Sequence, residues 1–330
     1  DTVDAGDTAK GETWTCTVTP HDGDDAGETA TDQVLVGNAF GDWPGSLGGG
    51  DADVQLIGEE ADDTVRAIQS ADLDGDGVAE LLVGAHYNGR GAASGGTLYV
   101  FESVGALSGA VDLSTADVIL PSTEASGGAA NSLASPGDMD GDGIDDIALS
   151  HHDADWRGST TLISGQGVTG SSAASIEDAA WVHIEAEAPA NYGNRLAAAG
   201  DVDGDGLGDL VTGAWGWDDT SSNQGRAYLT LGADLPTSGT LSMGDAAGAW
   251  SGDRSNHQCG YAVGGLGDVD GDGFDDFGVY CRDTSADFVG EVRILLGGVA
   301  PAAGTDLATR ADHCLTGGGT FEGLGETLGP

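Results

Sequence analysis

Four nine-residue stretches carry the densest chemistry in this 330-residue chain: Asp72–Glu80, Asp138–Asp146, Asp201–Asp209 and Asp268–Asp276. Each places carboxylates at positions 1, 3, 5 and 9 and glycine at positions 4 and 6, so a tight backbone turn gathers several hard oxygens around one point. That donor set suits calcium; magnesium holds its waters and rarely enters an all-protein cage. The side-chain ligands read Asp72, Asp74, Asp76 and Glu80, then Asp138, Asp140, Asp142 and Asp146. The remaining two loops offer Asp201, Asp203, Asp205 and Asp209, and Asp268, Asp270, Asp272 and Asp276. Position 7 would add a backbone carbonyl from Val78, Ile144, Leu207 or Phe274, which allows up to four ions. An EF-hand is excluded: it needs glutamate at position 12 and a following helix, and position 12 here is Val83, Leu149, Thr212 and Val279. A plain solvated turn accounts for one Asp-Gly run, but not for an acid at position 9 in all four.

The elements that must hold these loops recur with them. The first residues of the four loops lie 66, 63 and 67 positions apart, the period of a repeated supersecondary unit. Short apolar runs leave each loop, Leu81-Leu82-Val83, Ile147-Ala148-Leu149, Leu210-Val211-Thr212 and Phe277-Gly278-Val279, with the length and composition of strands. Reading one strand before each loop strand and one after gives four strands per period: in the third copy, Ala180–Glu185, Arg195–Ala199, Leu210–Gly213 and Gly225–Leu231. The expectation is an all-β fold of four-stranded antiparallel blades in a β-propeller. Its units span about 51–102, 116–164, 180–231 and 246–296, with a partial fifth at 308–330 that stops where its own loop should begin.

From Gly200 to Ala214 the chain reads Gly-Asp-Val-Asp-Gly-Asp-Gly-Leu-Gly-Asp-Leu-Val-Thr-Gly-Ala, and Leu81–Ala85 matches its end. These residues resemble the FG-GAP repeats of integrin-alpha-type β-propellers, which also occur in bacterial surface proteins; the resemblance covers roughly residues 51 to 330. The proline that often follows Gly-Ala in that family is His86 or Trp215 here, and the Phe-Gly pair is missing from most copies. The resemblance implies calcium that stabilises the blade turns, a ring commonly of seven blades, and extracellular, non-enzymatic adhesion or recognition. Related propellers also occur as appendages of secreted hydrolases, and a carbohydrate-binding module is the neighbouring alternative. Residues 1–38 are expected to form two strands, Glu12–Pro20 and Thr29–Val36, which resemble the end of a bacterial immunoglobulin-like repeat, with 39–50 as linker. No Gly-x-Ser-x-Gly elbow, His-Glu-x-x-His helix or Walker loop is present.

A formal net charge of −46, from 56 acidic and 10 basic residues, argues against nucleic-acid or anionic-membrane partners, and no apolar run reaches spanning length. The acidity fits general solubility or a salty habitat as well as it fits a partner. The four cysteines are too scattered for a zinc cluster of short spacing. Cys259 and Cys281 flank the fourth loop, and a hairpin about it leaves them roughly three residues out of register; a disulfide and two separate thiols both remain open. Successive turns of such a sheet alternate between faces, so the face opposite the metal turns would gather His86, Tyr87, Arg90, His152, Trp156, Trp215, Trp217 and Arg282 as a protein- or glycan-binding surface. The competing reading is that the tryptophans fill gaps between blades.

Overall fold

The computed structural model describes residues 13–18, 30–35, 54–59, 63–152, 158–169, 172–186, 194–282, 284, 290–298 and 305–316. The chain divides into two units, Asp1–Gln55 and Leu56–Pro330. In the first, β1 (Thr13–Val18) and β2 (Ala30–Leu35) form an antiparallel hairpin with Thr13 opposite Leu35 and Val18 opposite Ala30. Strand β3 (Val54–Ile57) follows at the unit boundary. The proposed linker, 39–50, lies outside the described residues.

Among the described residues, the second unit contains four antiparallel blade sheets built in the same way, besides the pairing of β3 with a short strand of the first blade's connection. Blade I is β4 (Val65–Ala71), β5 (Glu80–Ala85), β6 (Thr97–Phe101) and, after the short β7 (Gly109–Asp112), β8 (Val118–Pro121). Blade II is β9 (Leu133–Gly137), β10 (Asp146–His152), β11 (Gly158–Ile163) and β12 (Val182–Glu185), with helical turns α1 (Gly165–Thr169) and α2 (Ile176–Ala179) before the last strand. Blade III is β13 (Asn194–Gly200), β14 (Asp209–Ala214), β15 (Arg226–Thr230) and, after β16 (Gly239–Ser242), β17 (Gly248–Ser251). Blade IV is β18 (Cys259–Gly267), β19 (Asp276–Arg282), β20 (Gly290–Leu295) and, after β21 (Thr305–Asp306) and α3 (Leu307–Arg310), β22 (His313–Thr316). Strand β16 adds in parallel to β12, and β21 to β17, so the connection inside one blade covers the outer edge of the blade before it.

The all-β, four-strand expectation holds, but its phase shifts by one strand. The strand expected to open each unit instead closes the previous blade: Val118 pairs with Val100, Val182 with Leu162, Gly248 with Leu229, and His313 with Ile294. The described part of 308–330, β22, therefore completes the fourth blade instead of opening a fifth, 317–330 lie outside the described residues, and β3 is no part of the blade I sheet. The physical reason is that the third strand of each sheet has one free edge, and the next segment in the chain satisfies its N–H and C=O groups before crossing over.

The second strands of blades II and III, β10 and β14, are buried along nearly their whole length because a neighbouring blade covers each face, which explains their near-continuous apolar composition. One core joins blades I and II around Leu82, Leu98, Leu133, Ile147 and Leu149. Another joins II and III around Ala148, Leu162, Leu196, Leu210 and Tyr228, and a third joins III and IV around Val211, Leu229, Trp250, Phe277 and Val279. The innermost strands are rich in small residues and line a cleft of about 630 Å³ with Ala197, Ala198, Gly264 and Gly265. A side chain on Gly84 would meet the Ala130 carbonyl at 2.2 Å, and one on Gly213 the Gly260 carbonyl at 2.1 Å. The Gly-Ala pair of the repeat is thus a contact between blades.

Candidate metal centre

Each acidic loop joins the first and second strands of a blade, between Ala71 and Glu80, Gly137 and Asp146, Gly200 and Asp209, and Gly267 and Asp276. The turn depends on left-handed glycines at positions 4 and 6, with φ of 75° and 85° in the first loop and 80° and 95° in the fourth. The position-1 carboxylate caps the turn from inside: Asp72 Oδ1 accepts from Gly75 N–H at 2.8 Å and Oδ2 from Gly77 N–H at 2.9 Å. The other loops repeat this, with Asp201 accepting from Gly204 and Gly206 and Asp268 from Gly271 and Gly273.

Position 9 is the buried anchor. Asp146, Asp209 and Asp276 are fully buried, and Glu80 almost so. One oxygen of each accepts the position-2 amide at 2.7–2.8 Å. In the three aspartates the other accepts an amide beyond the third strand, from Gly165, Gly232 or Gly297. Burial pushes Asp146 and Asp209 up to about 7 and raises Glu80 as well, with neighbouring loop carboxylates adding to the shift.

In every loop, oxygens from positions 1, 3 and 9 approach within 4.8 Å of one another: Asp72, Asp74 and Glu80; Asp138, Asp140 and Asp146; Asp201, Asp203 and Asp209; Asp268, Asp270 and Asp276. The position-5 acids, Asp76, Asp142, Asp205 and Asp272, fall outside that grouping; one oxygen of each accepts the amide of position 7. Among the described residues no arginine or histidine forms an ion pair with any of these acids. Three uncompensated carboxylates at such separation, with lone pairs left over, fit a hard divalent cation.

The loops are also chained to one another, which the sequence reading missed. Position-8 amides of Asp145, Gly208 and Asp275 donate to the position-1 carbonyls of Asp72, Asp138 and Asp201 in the preceding blade, at 3.1, 2.8 and 3.0 Å. Asp145 and Asp275 return the contact, accepting from Asp72 N–H and Asp201 N–H. Position-7 side chains Ile144, Leu207 and Phe274 lie over Gly75, Gly141 and Gly204 of the loop before. The only sequence signal was an apolar residue recurring at an otherwise exposed position 7.

The candidate ligand face divides. His86 and Trp217 are buried: His86 Nδ1 lies 3.2 Å from the Thr64 carbonyl, and Trp217 packs edge-on to Tyr228 with the Arg226 guanidinium 4.6 Å over its ring. Trp217, in the turn that follows β14, belongs to the core between blades II and III. Tyr87 is exposed against His86, Arg90 pairs with Glu59 at 2.5 Å, and His152 packs over Gly128. Trp215 and Arg282 are half-buried beside Tyr261, and Trp156 lies outside the described residues. Cys259 and Cys281 form a disulfide. The register gap closes through a bulge: Ala262 pairs with Tyr280 but Cys259 with Cys281, so Gly260 and Tyr261 loop out.

The FG-GAP repeat family model matches residues 64–101 and 192–230, each a run from the first strand of a blade, through an acidic loop, to its third strand. Two of the four blades, I and III, are FG-GAP repeats. Integrin alpha-5 of Xenopus laevis is 32% identical over 181 residues, covering 52% of this chain and 16% of that protein. Integrin alpha-4 of the same organism is 27% identical over 183 residues, covering 53% and 16%. These FG-GAP blades are of the integrin-alpha-like β-propeller kind, and the chain spans about 16% of the length of those relatives.

Proposed function

We propose that this chain is an extracellular, non-enzymatic adhesion or recognition module whose blades are locked by calcium. The observation that carries the reading is the convergence of three carboxylates in each of four loops without a cationic partner among the described residues. Asp72, Asp138, Asp201 and Asp268 would hold the ion with the position-3 and position-9 acids, and the bound charge would cancel repulsion that otherwise opposes closing each turn. Because adjacent loops share hydrogen bonds, an ion in one loop also steadies the next blade. Calcium sites of extracellular grade, with dissociation constants of about 10⁻⁴ to 10⁻³ M, are filled outside a cell. The likeness to integrin alpha chains supports adhesion, and among the described residues no helix is long and apolar enough to cross a membrane. The partner would be a protein or glycan on the face opposite the metal turns. Thermal unfolding with calcium and with EDTA tests the metal: an unchanged midpoint would overturn it. A peptide and glycan array probed in calcium tests recognition, and silence across the array would overturn adhesion.

A further inference from the structure

The chain has few cations, and most of the described ones are committed. Among the described residues, Arg90, Arg226, Arg254, Arg293 and Arg310 each have a carboxylate within 4.0 Å. Arg66, Arg195 and Arg282 have none among the described residues, in a protein with 56 acidic residues. These three share one end of the blades. Arg66 and Arg195 occupy the same repeat position, six residues before the loop aspartates Asp72 and Asp201, on the innermost strands at the end away from the metal turns. Arg282 ends β19 at that side, where its guanidinium lies 4.8 Å from the Tyr261 ring centre. Arg195 approaches the same ring at 5.9 Å, so Tyr261 sits within reach of two guanidinium groups, and Trp215 is 6.0 Å from it.

Arg195 is half-buried, and burial followed by the nearby positive charge of Arg66 lowers its pKa from the ordinary arginine value. Two like charges close enough to act on one another, one of them partly desolvated, cost free energy that a carboxylate would remove. The bulge at Gly260 and Tyr261 is what brings the tyrosine to this place. Cation–π contact holds the guanidinium planes but leaves their N–H edges for an anion.

We propose that this corner accepts a carboxylate, an Asp or Glu side chain presented on a loop of a protein partner. The inference rests on the reading of this face as the recognition face, and it names the chemistry that face selects. A polyanion such as nucleic acid is disfavoured, because the −46 charge of the whole chain repels it at range while a single acid on a weakly charged loop can still enter. Tyr261 and Trp215 supply an aromatic shelf for the segment that carries the acid.

The test uses the full chain with calcium and two readouts. First, the arginine Nε–H resonances are followed by NMR during titration with N-acetyl-aspartate N-methylamide, its asparagine analogue, or glucuronate. Saturable shifts at Arg195 and Arg282 with the aspartate compound, and none with the asparagine compound, are expected. Second, immobilised peptide pools with a central Asp or Asn are compared; the Asp pool should retain the protein about tenfold better, the scale of a charge-assisted hydrogen bond. Arg282→Gln and Arg195→Gln should each abolish that preference, Arg195→Lys should restore part of it, and Arg310→Gln should leave it intact. Arginine resonances indifferent to the carboxylate overturn the inference even if an array yields a ligand for this face. Shifts with glucuronate alone overturn the protein source. Silent arrays with saturable, aspartate-specific shifts overturn the adhesion reading and leave the carboxylate site standing.

Discussion

Asp209 does two separable things: it closes the backbone around the loop, and it belongs to the carboxylate trio. Its two oxygens accept from Val202 and Gly232 amides with no exposure to water, so Asp209→Ala leaves two buried donors unpaired. Each costs about 1–3 kcal/mol, so the variant should lose about 2–6 kcal/mol in urea unfolding even in EDTA. Asp203→Ala, at the exposed position 3, should lose stability in calcium but little in EDTA. Equal losses for the two in EDTA would contradict the division of roles. The sequence revealed the acid at position 9 but not its burial, because side-chain carboxylates read alike until the strands that cover them are placed.

Between blades, close approach and a charged cluster decide stability. Gly213 faces the Gly260 carbonyl across the blade III–IV contact, and Gly213→Ala forces a methyl group to 2.1 Å from that oxygen. The expected loss is about 1–3 kcal/mol from overpacking, measured by denaturant unfolding with calcium present, while a substitution at solvent-facing Gly89 should be nearly neutral. The loop entering blade IV adds a second device. His257 is fully buried with Nδ1 2.9 Å from Asp253 and Nε2 3.3 Å from Glu291. That contact with His257, opposed by burial and reinforced by hydrogen bonds from Arg254 and Arg293, holds the Glu291 carboxyl far below its usual range. A carboxyl depressed on folding contributes stability above the ordinary glutamate pKa, and that contribution is lost as the pH falls through the folded value. Unfolding in EDTA between about pH 6 and 3 should therefore show wild type losing its advantage over Glu291→Gln on acidification; a constant gap would exclude the link. None of this cluster was legible in sequence, since Asp253, His257 and Glu291 lie on a loop and a strand that only the fold brings together.

For the second unit as a whole, the chained loops predict that metal loss is cooperative: removing calcium should lower the melting midpoint in a single transition, because Asp145, Gly208 and Asp275 tie each turn to the one before. Separate steps per blade, followed by calorimetry during EDTA titration, would show that those ties are weak. Four acidic loops, their period, the strand-loop-strand order and the FG-GAP character were determined by sequence alone, because a turn of nine residues and its ligands are contiguous and need no distant partner to be read. The phase of the blades, the bulge that aligns Cys259 with Cys281, the burial of Trp217 and the meeting of Arg195 and Arg282 at the Tyr261 ring were decided only by tertiary structure. Each depends on which free strand edge the next segment satisfies, and edge pairing is a long-range choice that local composition does not encode.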